Sequence, residues 1–207
     1  MATSQRPPLN KDLRLRQSSL LDLPALGFIE LSSISRGLYL TDVVLKKAPV
    51  HVIASQPVSS GKHILLFMGD VASVQESIAA ATELADGTVL KQILIPGVHD
   101  GLAPFLDSLW RDQANTAPVG ESVGIVESST MAGAILAADY ALKAANVSLC
   151  RMRLGQGIGG KAYFVLTGDQ SEVEAGLDAA KESLNQLESL CRVDLIAQPQ
   201  DDAVIHF

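Results

Sequence analysis

The chain has 207 residues, 47% of them hydrophobic and 4% aromatic, and a formal net charge of −7. This length suits one medium domain or two small ones with a substantial buried core. The acidic balance disfavours binding to a nucleic-acid backbone, and the sequence shows neither an apolar run long enough for a transmembrane helix nor a secretory signal. We therefore expect a cytoplasmic protein with no nucleic-acid partner and no membrane partner.

The first predicted domain covers residues 24–97, after an N-terminal extension at 1–23. It begins with an apolar strand at 25–31. A helix follows, because apolar residues then recur every three or four positions until Pro49 disfavours continuation. These positions are Ile34, Leu38, Thr41, Leu45 and Ala48.

The rest of this domain is predicted to be a hairpin, a second helix and a last strand. Strands at 50–57 and 62–69 flank a loop of a few residues, as a β-hairpin requires. The last strand is predicted at 88–95. The helix between them carries apolar residues at Val71, Val74, Ile78 and Ala81.

A linker with a short helix around 101–112 is predicted at 98–121, and a second domain at 122–207. The second domain has its first helix ending at Asn146. Its strands are predicted at 122–128, 147–154, 161–168 and 190–197. The helices carry Met131, Ile135, Ala138, Leu142 and Ala145 in the first and Val173, Leu177, Ala180 and Leu184 in the second, where Ser171 and Glu174 form a predicted capping box.

The two domains are copies of each other. Residues from Leu26 align with residues from Val123 at a constant offset of 97, which places Gly27 on Gly124. A two-residue insertion in the second copy then changes the offset to 99. Further aligned pairs include Glu30 with Glu127, Asp42 with Asp139, Lys46 with Lys143, Lys62 with Lys161 and Asp70 with Asp169. An internal repeat of this kind sets the architecture of the whole chain.

The order of elements in each copy is β-α-β-β-α-β, the split arrangement of ferredoxin-like folds. The predicted fold class is therefore α/β, in the segregated α+β sense, with two tandem ferredoxin-like domains.

The second copy contains Gly155, Gly157 and Gly160 in the spacing G-x-G-x-x-G. In a dinucleotide-binding loop, such glycines lie between a strand and a helix, so that the pyrophosphate reaches the helix N-terminus. Here the following residues, KAYFVLT, have the composition of a strand. The glycines are therefore predicted to form a hairpin loop, and we expect no cofactor.

Other catalytic and metal-binding patterns also lack support. Ser59 and Lys62 match S-x-x-K, but that motif needs a helix to bring the two side chains together. Cys150 and Cys191 belong to no metal-binding motif and are expected to be buried thiols. No pair of histidines has metal-ligand spacing. We expect no catalytic residue and no metal site.

Several short motifs resemble the bacterial microcompartment shell proteins. They are GIVES at 124–128, KAANV at 143–147, LKKAPV at 45–50 and SSGKHILLFMGDV at 59–71. The resemblance covers residues 25–97 and 122–199, and two copies in one chain are similar to the trimeric, tandem-domain class of that family. It implies a structural shell tile, a homotrimer with pseudohexameric shape, that packs with hexameric and pentameric shell proteins around encapsulated enzymes.

The resemblance also implies roles for particular residues. Lys46 and Lys143 would lie at the tile edge and contact neighbouring tiles. The loops between the second and third strands would line a central pore for small polar metabolites. The predicted pore-lining residues are Val58, Ser59, Ser60 and Gly61 in the first copy and Gly157, Ile158, Gly159 and Gly160 in the second.

This sequence departs from the family pattern after the last strand of each copy. Family members have Arg beside Pro there, whereas the segments here are IPGVHD and AQPQDD. Lys46 and Lys143 are therefore the firmer edge prediction. The alternative is a small-molecule sensor or enzyme on a duplicated ferredoxin-like fold, with a ligand cleft between the copies, because one fold hosts many functions.

Overall fold

The computed structural model describes residues 22–109 and 118–204. The first domain contains β1 (Ala25–Leu31), α1 (Ile34–Lys47), β2 (His51–Val58), β3 (Lys62–Gly69), α2 (Val71–Glu83) and β4 (Val89–Ile95). Helix α3 (Leu102–Leu109) follows. The second domain contains β5 (Ser122–Ser128), α4 (Met131–Ala144), β6 (Ser148–Leu154), β7 (Ala162–Gly168), α5 (Gln170–Gln186) and β8 (Leu190–Ala197), and α6 (Asp201–Val204) comes last.

Each domain has one antiparallel four-stranded sheet, with strand order β2-β3-β1-β4 in the first and β6-β7-β5-β8 in the second. The order of elements is β-α-β-β-α-β in both domains, so the predicted ferredoxin-like repeat is confirmed. Every predicted strand is present, with its ends within one residue of the prediction. None of the described helices has the length and apolar character needed to cross a membrane.

The helices of the first domain cover one face of its sheet. The core between them includes Ile29, Leu65 and Phe67 from the sheet together with Leu40 and Val44 from α1. The helix that the apolar spacing predicted is present. The predicted apolar positions are not the buried ones, because the helix buries Gly37, Leu40 and Val44 against its own sheet.

The aligned glycines of β1 and β5 allow close packing between sheet and helix. A Cβ atom built on Gly27 would lie 2.8 Å from atoms of both Phe67 and Val74. One built on Gly124 would lie 2.8 Å from side-chain atoms of Val173 and Leu177. Since real Cβ atoms do not approach so closely, glycine at both positions lets the second helix of each domain pack against the sheet.

The second domain shares a continuous core with the first. Leu26, Phe28 and Ile95 of the first sheet belong to the same cluster of buried side chains as Met131 and Ile135 of α4. Helix α4 packs against β4 and β1 of the first domain and against α3. The alternative function predicted a ligand cleft between the copies, but buried apolar side chains fill this junction.

The short linker helix is present as α3, and the part of that prediction at 110–117 lies outside the described residues. The predicted capping box of α5 is wrong, because Asp169 is the N-cap and Ser171 already lies within the helix. Glu174 instead accepts a hydrogen bond from the side chain of Gln170 at 2.8 Å.

Candidate functional site

The loop between β2 and β3 is a single 3-10 turn, Ser59–Gly61. Ser60 and Gly61 both have positive φ angles, of 66° and 68°. Positive φ is the left-handed region, which glycine adopts readily and other residues adopt at a cost. The loop is short because two residues in this conformation reverse the chain between the hairpin strands.

The loop between β6 and β7 contains the G-x-G-x-x-G sequence. It connects two strands, as predicted. A hydrogen bond of 3.0 Å from the Gly155 amide to the Lys161 carbonyl joins the two ends of the loop. Four of its glycines have positive φ angles, Gly155, Gly157, Gly159 and Gly160. The glycines thus form the hairpin turn, and no helix N-terminus follows them to receive a pyrophosphate.

The two loops contact each other directly. The Gly157 amide donates a hydrogen bond to Ser59 Oγ at 2.8 Å. The Ser59 amide donates to the carbonyl of Gly155 at 3.3 Å. Ser59 and Gly157 are 98 positions apart in the sequence. The fold therefore brings the predicted pore-lining segments of the two copies together.

The predicted pore-lining residues differ in exposure. Ser60, Gly61, Gly157 and Gly159 are exposed, and Ser59 and Ile158 are partly buried. Val58, in contrast, is 8% exposed and belongs to the core shared by the two domains. Gly160 is also buried. The exposed surface of the paired loops is therefore carried by the other six predicted residues.

A lysine immediately after each loop forms an ion pair with the neighbouring strand. Lys62 Nζ lies 2.7 Å from Glu30 Oε1, and the Glu30 side chain is only 3% exposed. Lys161 pairs in the same way with Glu127, and this hydrogen bond and the carboxylate charge raise the pKa of Lys161. These pairs were not predicted from the sequence, although both residues of each pair align in the repeat.

The first of these pairs also touches the second domain. A Cβ atom built on Gly160 would lie 3.5 Å from Lys62 Nζ. Lys62 Nζ donates to Glu30, whereas the Ser59 hydroxyl accepts the Gly157 amide. The Ser and Lys of the S-x-x-K match thus have different hydrogen-bond partners.

The two predicted edge lysines have matching partners in different surroundings. Lys46 pairs with Asp42 at 2.6 Å, and both side chains are exposed. The Asp42 hydrogen bond, with its charge, raises the pKa of Lys46. Lys143 pairs with Asp139, which is 2% exposed and also accepts the His99 amide at 2.8 Å.

Helix α1 has an exposed apolar face. Ile34 is 36% exposed, Leu38 57% and Leu45 51%. The aligned residues of α4 are Met131, Ile135 and Leu142, and none of them is more than 6% exposed. The difference arises because α4 packs against the first domain of its own chain.

A buried polar network lies beneath α1. Thr41 Oγ1 donates to Gly37 O at 2.9 Å, Ser55 Oγ lies 2.6 Å from Thr41 Oγ1, and His63 Nε2 lies 3.0 Å from Ser55 Oγ. The Thr41 hydroxyl is a donor to Gly37, so Ser55 donates to Thr41 and His63 donates through Nε2. His63 is fully buried, and burial lowers its pKa.

The cysteines follow the prediction in part. Cys150 is buried, and burial raises the pKa of its thiol. Cys191 is exposed, which corrects the expectation of two buried thiols. It lies on β8, one of the two edge strands of the second sheet. Among the residues described, no group of three or more His, Cys, Asp or Glu side chains has the arrangement of a metal site.

Comparisons with known proteins agree with this architecture. The model of the BMC domain matches residues 25–98 and again residues 122–199. The bacterial microcompartment shell protein PduT of Citrobacter freundii is 37% identical over 177 residues, which cover 86% of this chain and 94% of PduT. The carboxysome assembly protein CcmO of Synechococcus elongatus is 26% identical over 187 residues, covering 86% of this chain and 66% of CcmO.

Solved structures are similar as well. A microcompartment protein from Desulfitobacterium hafniense superposes with a TM-score of 0.79 at 34% identity, covering 87% of this chain and 97% of that chain. The fused permuted hexameric shell protein MSM0275 of the RMM microcompartment has a TM-score of 0.58 at 22% identity, covering 83% and 91%, and supports the fold alone. With two BMC domains in one chain and a shell protein at 37% identity over nearly its whole length, the protein belongs to the family of bacterial microcompartment shell proteins.

Proposed function

We propose that this shell protein forms a homotrimeric, pseudohexameric tile with a central pore for small polar metabolites, and that it acts without catalysis. In this proposal the tile packs with hexameric and pentameric shell proteins around encapsulated enzymes. One observation carries the proposal. The second domain packs its first helix against the sheet of the first domain, and each chain leaves exposed the aligned helix of the first domain and the aligned sheet of the second.

The internal interface is the contact of α4 with β4 and β1. Its counterpart would bring α1 of one chain against β8 and β5 of another, because the domains are copies. The α1 side of this contact is exposed at Ile34, Leu38 and Leu45. Burying apolar side chains of this size contributes about 1.5–3 kcal/mol each, so an uncovered face of this kind favours association.

The second side of the contact is the face of the second sheet that does not meet α4 and α5. Leu26 and Ile95, which join the core around α4, align with Val123 and Ile196 on this face. Ile196 is partly buried, as is Ile125 on the same face. We propose that α1 of the next chain covers this face.

A polar contact extends the same argument. In the internal interface, buried Asp139 accepts the His99 amide from the segment that follows β4. The aligned Asp42 is 59% exposed at its side chain. Leu94 pairs with Gly27, and Leu195 pairs with the aligned Gly124. Continuing both chains by five residues from these leucines aligns Gln200 with His99. We propose that the Gln200 amide of another chain donates to Asp42.

The contact is heterologous, since it joins different surfaces of two chains, and such contacts form either closed rings or open filaments. If the six domain positions of the ring are related by sixfold geometry, three chains with two domains each close the ring. The paired loops of each chain would then meet at the threefold axis, where exposed amides and hydroxyls of the six loops form a polar rim suited to small polar or anionic metabolites.

Assembly with partner shell proteins tests the proposal. The purified chain is mixed with hexameric and pentameric shell proteins, and electron microscopy is used to look for closed particles. The proposal expects this chain to be incorporated into the shell facets. Particles that form from the partners and exclude this chain would contradict its role as a tile.

A further inference from the structure

The hydrogen bond between the two loops joins groups that are each present in one copy only. Its acceptor is Ser59 Oγ and its donor is the Gly157 amide. At the loop offset of 99, Ser59 aligns with Ile158, which has no hydroxyl. Gly157 lies in the two-residue insertion of the second copy, so the first loop has no residue aligned with it.

The contact between chains in the proposed trimer would therefore differ from the contact within a chain. There the second loop of one chain, with Ile158, would meet the first loop of the next chain, Ser59–Gly61. The ion pairs that flank the loops cannot account for a difference, because both copies have them, Lys62 with Glu30 and Lys161 with Glu127. The Ser59 hydroxyl and its donor amide, in contrast, would have no counterpart between chains.

We propose that Ser59 holds the two loops of each chain together as one unit, so that the six loops of the pore move as three pairs. Any change in the width of the pore then occurs at the three contacts between chains. The inference rests on the proposed trimer with a central pore, and it makes Ser59 a positioning residue. Its hydroxyl is committed to the Gly157 amide, whereas Ser60 and Gly61 remain exposed to solutes.

The glycine content of the second loop explains why such a contact is needed. A Cβ atom built on Gly157 or on Gly159 would have no neighbour within 4 Å. Few side-chain contacts therefore restrain this loop, and glycine adds backbone freedom. The Ser59 side chain supplies a restraint from the other domain at the point where the loop has the least of its own.

Amide hydrogen exchange at Gly157 in the full-length protein tests the inference. Loss of one neutral hydrogen bond should speed exchange of this amide by about fivefold, and Ser59→Ala is expected to have this effect. Ser60→Ala, the matched change on the same loop, is expected to leave Gly157 exchange as in the wild type. Ser59→Thr, which retains the hydroxyl, is expected to restore slow exchange.

Unchanged Gly157 exchange in Ser59→Ala would overturn the inference, and so would an equal acceleration in Ser60→Ala. The native mass of the same samples separates this result from the proposed function. A trimer with unchanged exchange would overturn the role of Ser59 and leave the pore in place. A monomer would overturn the pore, and with it the pairing of six loops, whatever the exchange rates are.

Discussion

Individual residues decide how the two copies differ, and the edge lysines show this most directly. Removing Lys143 leaves Asp139 buried with only the His99 amide as partner. Lys143→Ala should therefore destabilise the fold by about 1–3 kcal/mol. Lys46→Ala removes one member of an exposed, solvent-screened pair and should cost much less. Urea unfolding of the two variants measures the difference, and equal losses would contradict the assigned environments.

The same pair of changes tests the predicted tile edge. A chain with both Lys46→Ala and Lys143→Ala is expected to remain a trimer but to lose the ability to form extended layers, as electron microscopy would show. Lys47→Ala is the control, since it removes an adjacent exposed charge that pairs with Glu76. Normal layers from the double variant would rule out the edge role.

His63 should make stability depend on pH near neutrality. Burial lowers its pKa from the ordinary 6.5, so the unfolded chain binds the proton more readily than the folded chain. The stabilisation is complete above about pH 6.5 and is lost as the pH falls below it, by at most about 1.4 kcal/mol per pH unit.

The groups that contact His63 carry no charge, so burial is the cause of its lowered pKa. Gly37 of α1, Leu31 of β1 and Ser55 of β2 lie against it. Glu30 and Lys62 precede Leu31 and His63 on their strands, so their side chains are on the opposite face of the sheet and pair with each other. Urea unfolding from pH 7.5 to 5.5 should show the loss in the wild type and not in His63→Gln. The pKa of Asp70 is lowered from its ordinary 3.8, so Asp70 affects stability only at pH values below this range.

At the scale of the elements, the exposed face of α1 should act between chains and the aligned face of α4 within one. Leu38→Asp introduces a charge where the side chain is 57% exposed, so it is expected to leave a folded monomer. Ile135→Asp places the charge at the aligned, fully buried position and is expected to unfold the chain. Tyr140→Asp, at an exposed position off that face of α4, is the control.

Native mass spectrometry and circular dichroism distinguish these outcomes. A Leu38→Asp trimer as stable as the wild type would contradict the proposed interface. Loss of secondary structure in Leu38→Asp would contradict the finding that α1 folds against its own sheet through Gly37, Leu40 and Val44.

The loops provide a second element-scale prediction. Gly159→Phe is expected to slow the conversion of a small substrate by a reporter enzyme inside assembled shells, because the ring would narrow the proposed pore. Gly87→Phe is matched in backbone, since both glycines have positive φ and open space at Cβ, but it lies in the turn before β4. Equal rates in the two variants would contradict the pore assignment of Gly159.

The sequence was sufficient for the elements and insufficient for the contacts between them. Periodicity, turn residues and the repeat predicted every strand to within one residue. The apolar spacing predicted α1 but not its buried face, because the helix is apolar on two faces and periodicity does not say which face meets its own sheet. The hydrogen bond between Ser59 and Gly157 was not predicted either, since alignment of the copies relates equivalent residues and gives no contact between different ones.

At the scale of the whole molecule, the chain contains one complete interface between its domains, and we propose that it carries the two halves of another. The internal junction forms a shared core that includes Phe28, Ile95 and Ile135. Its proposed counterparts are the exposed face of α1 and the face of the second sheet that carries Ile125 and Ile196. In the proposed trimer, closure by three chains would cover both halves and bring the paired loops to one axis.

Electron cryo-microscopy of the purified protein tests this claim most directly. We expect a ring of three chains, each of 21.9 kDa, with α1 of one chain packed on β5 and β8 of the next and with Ser60 and Gly159 around a central opening. A monomer, a dimer, or a ring with these loops at its outer edge would contradict it.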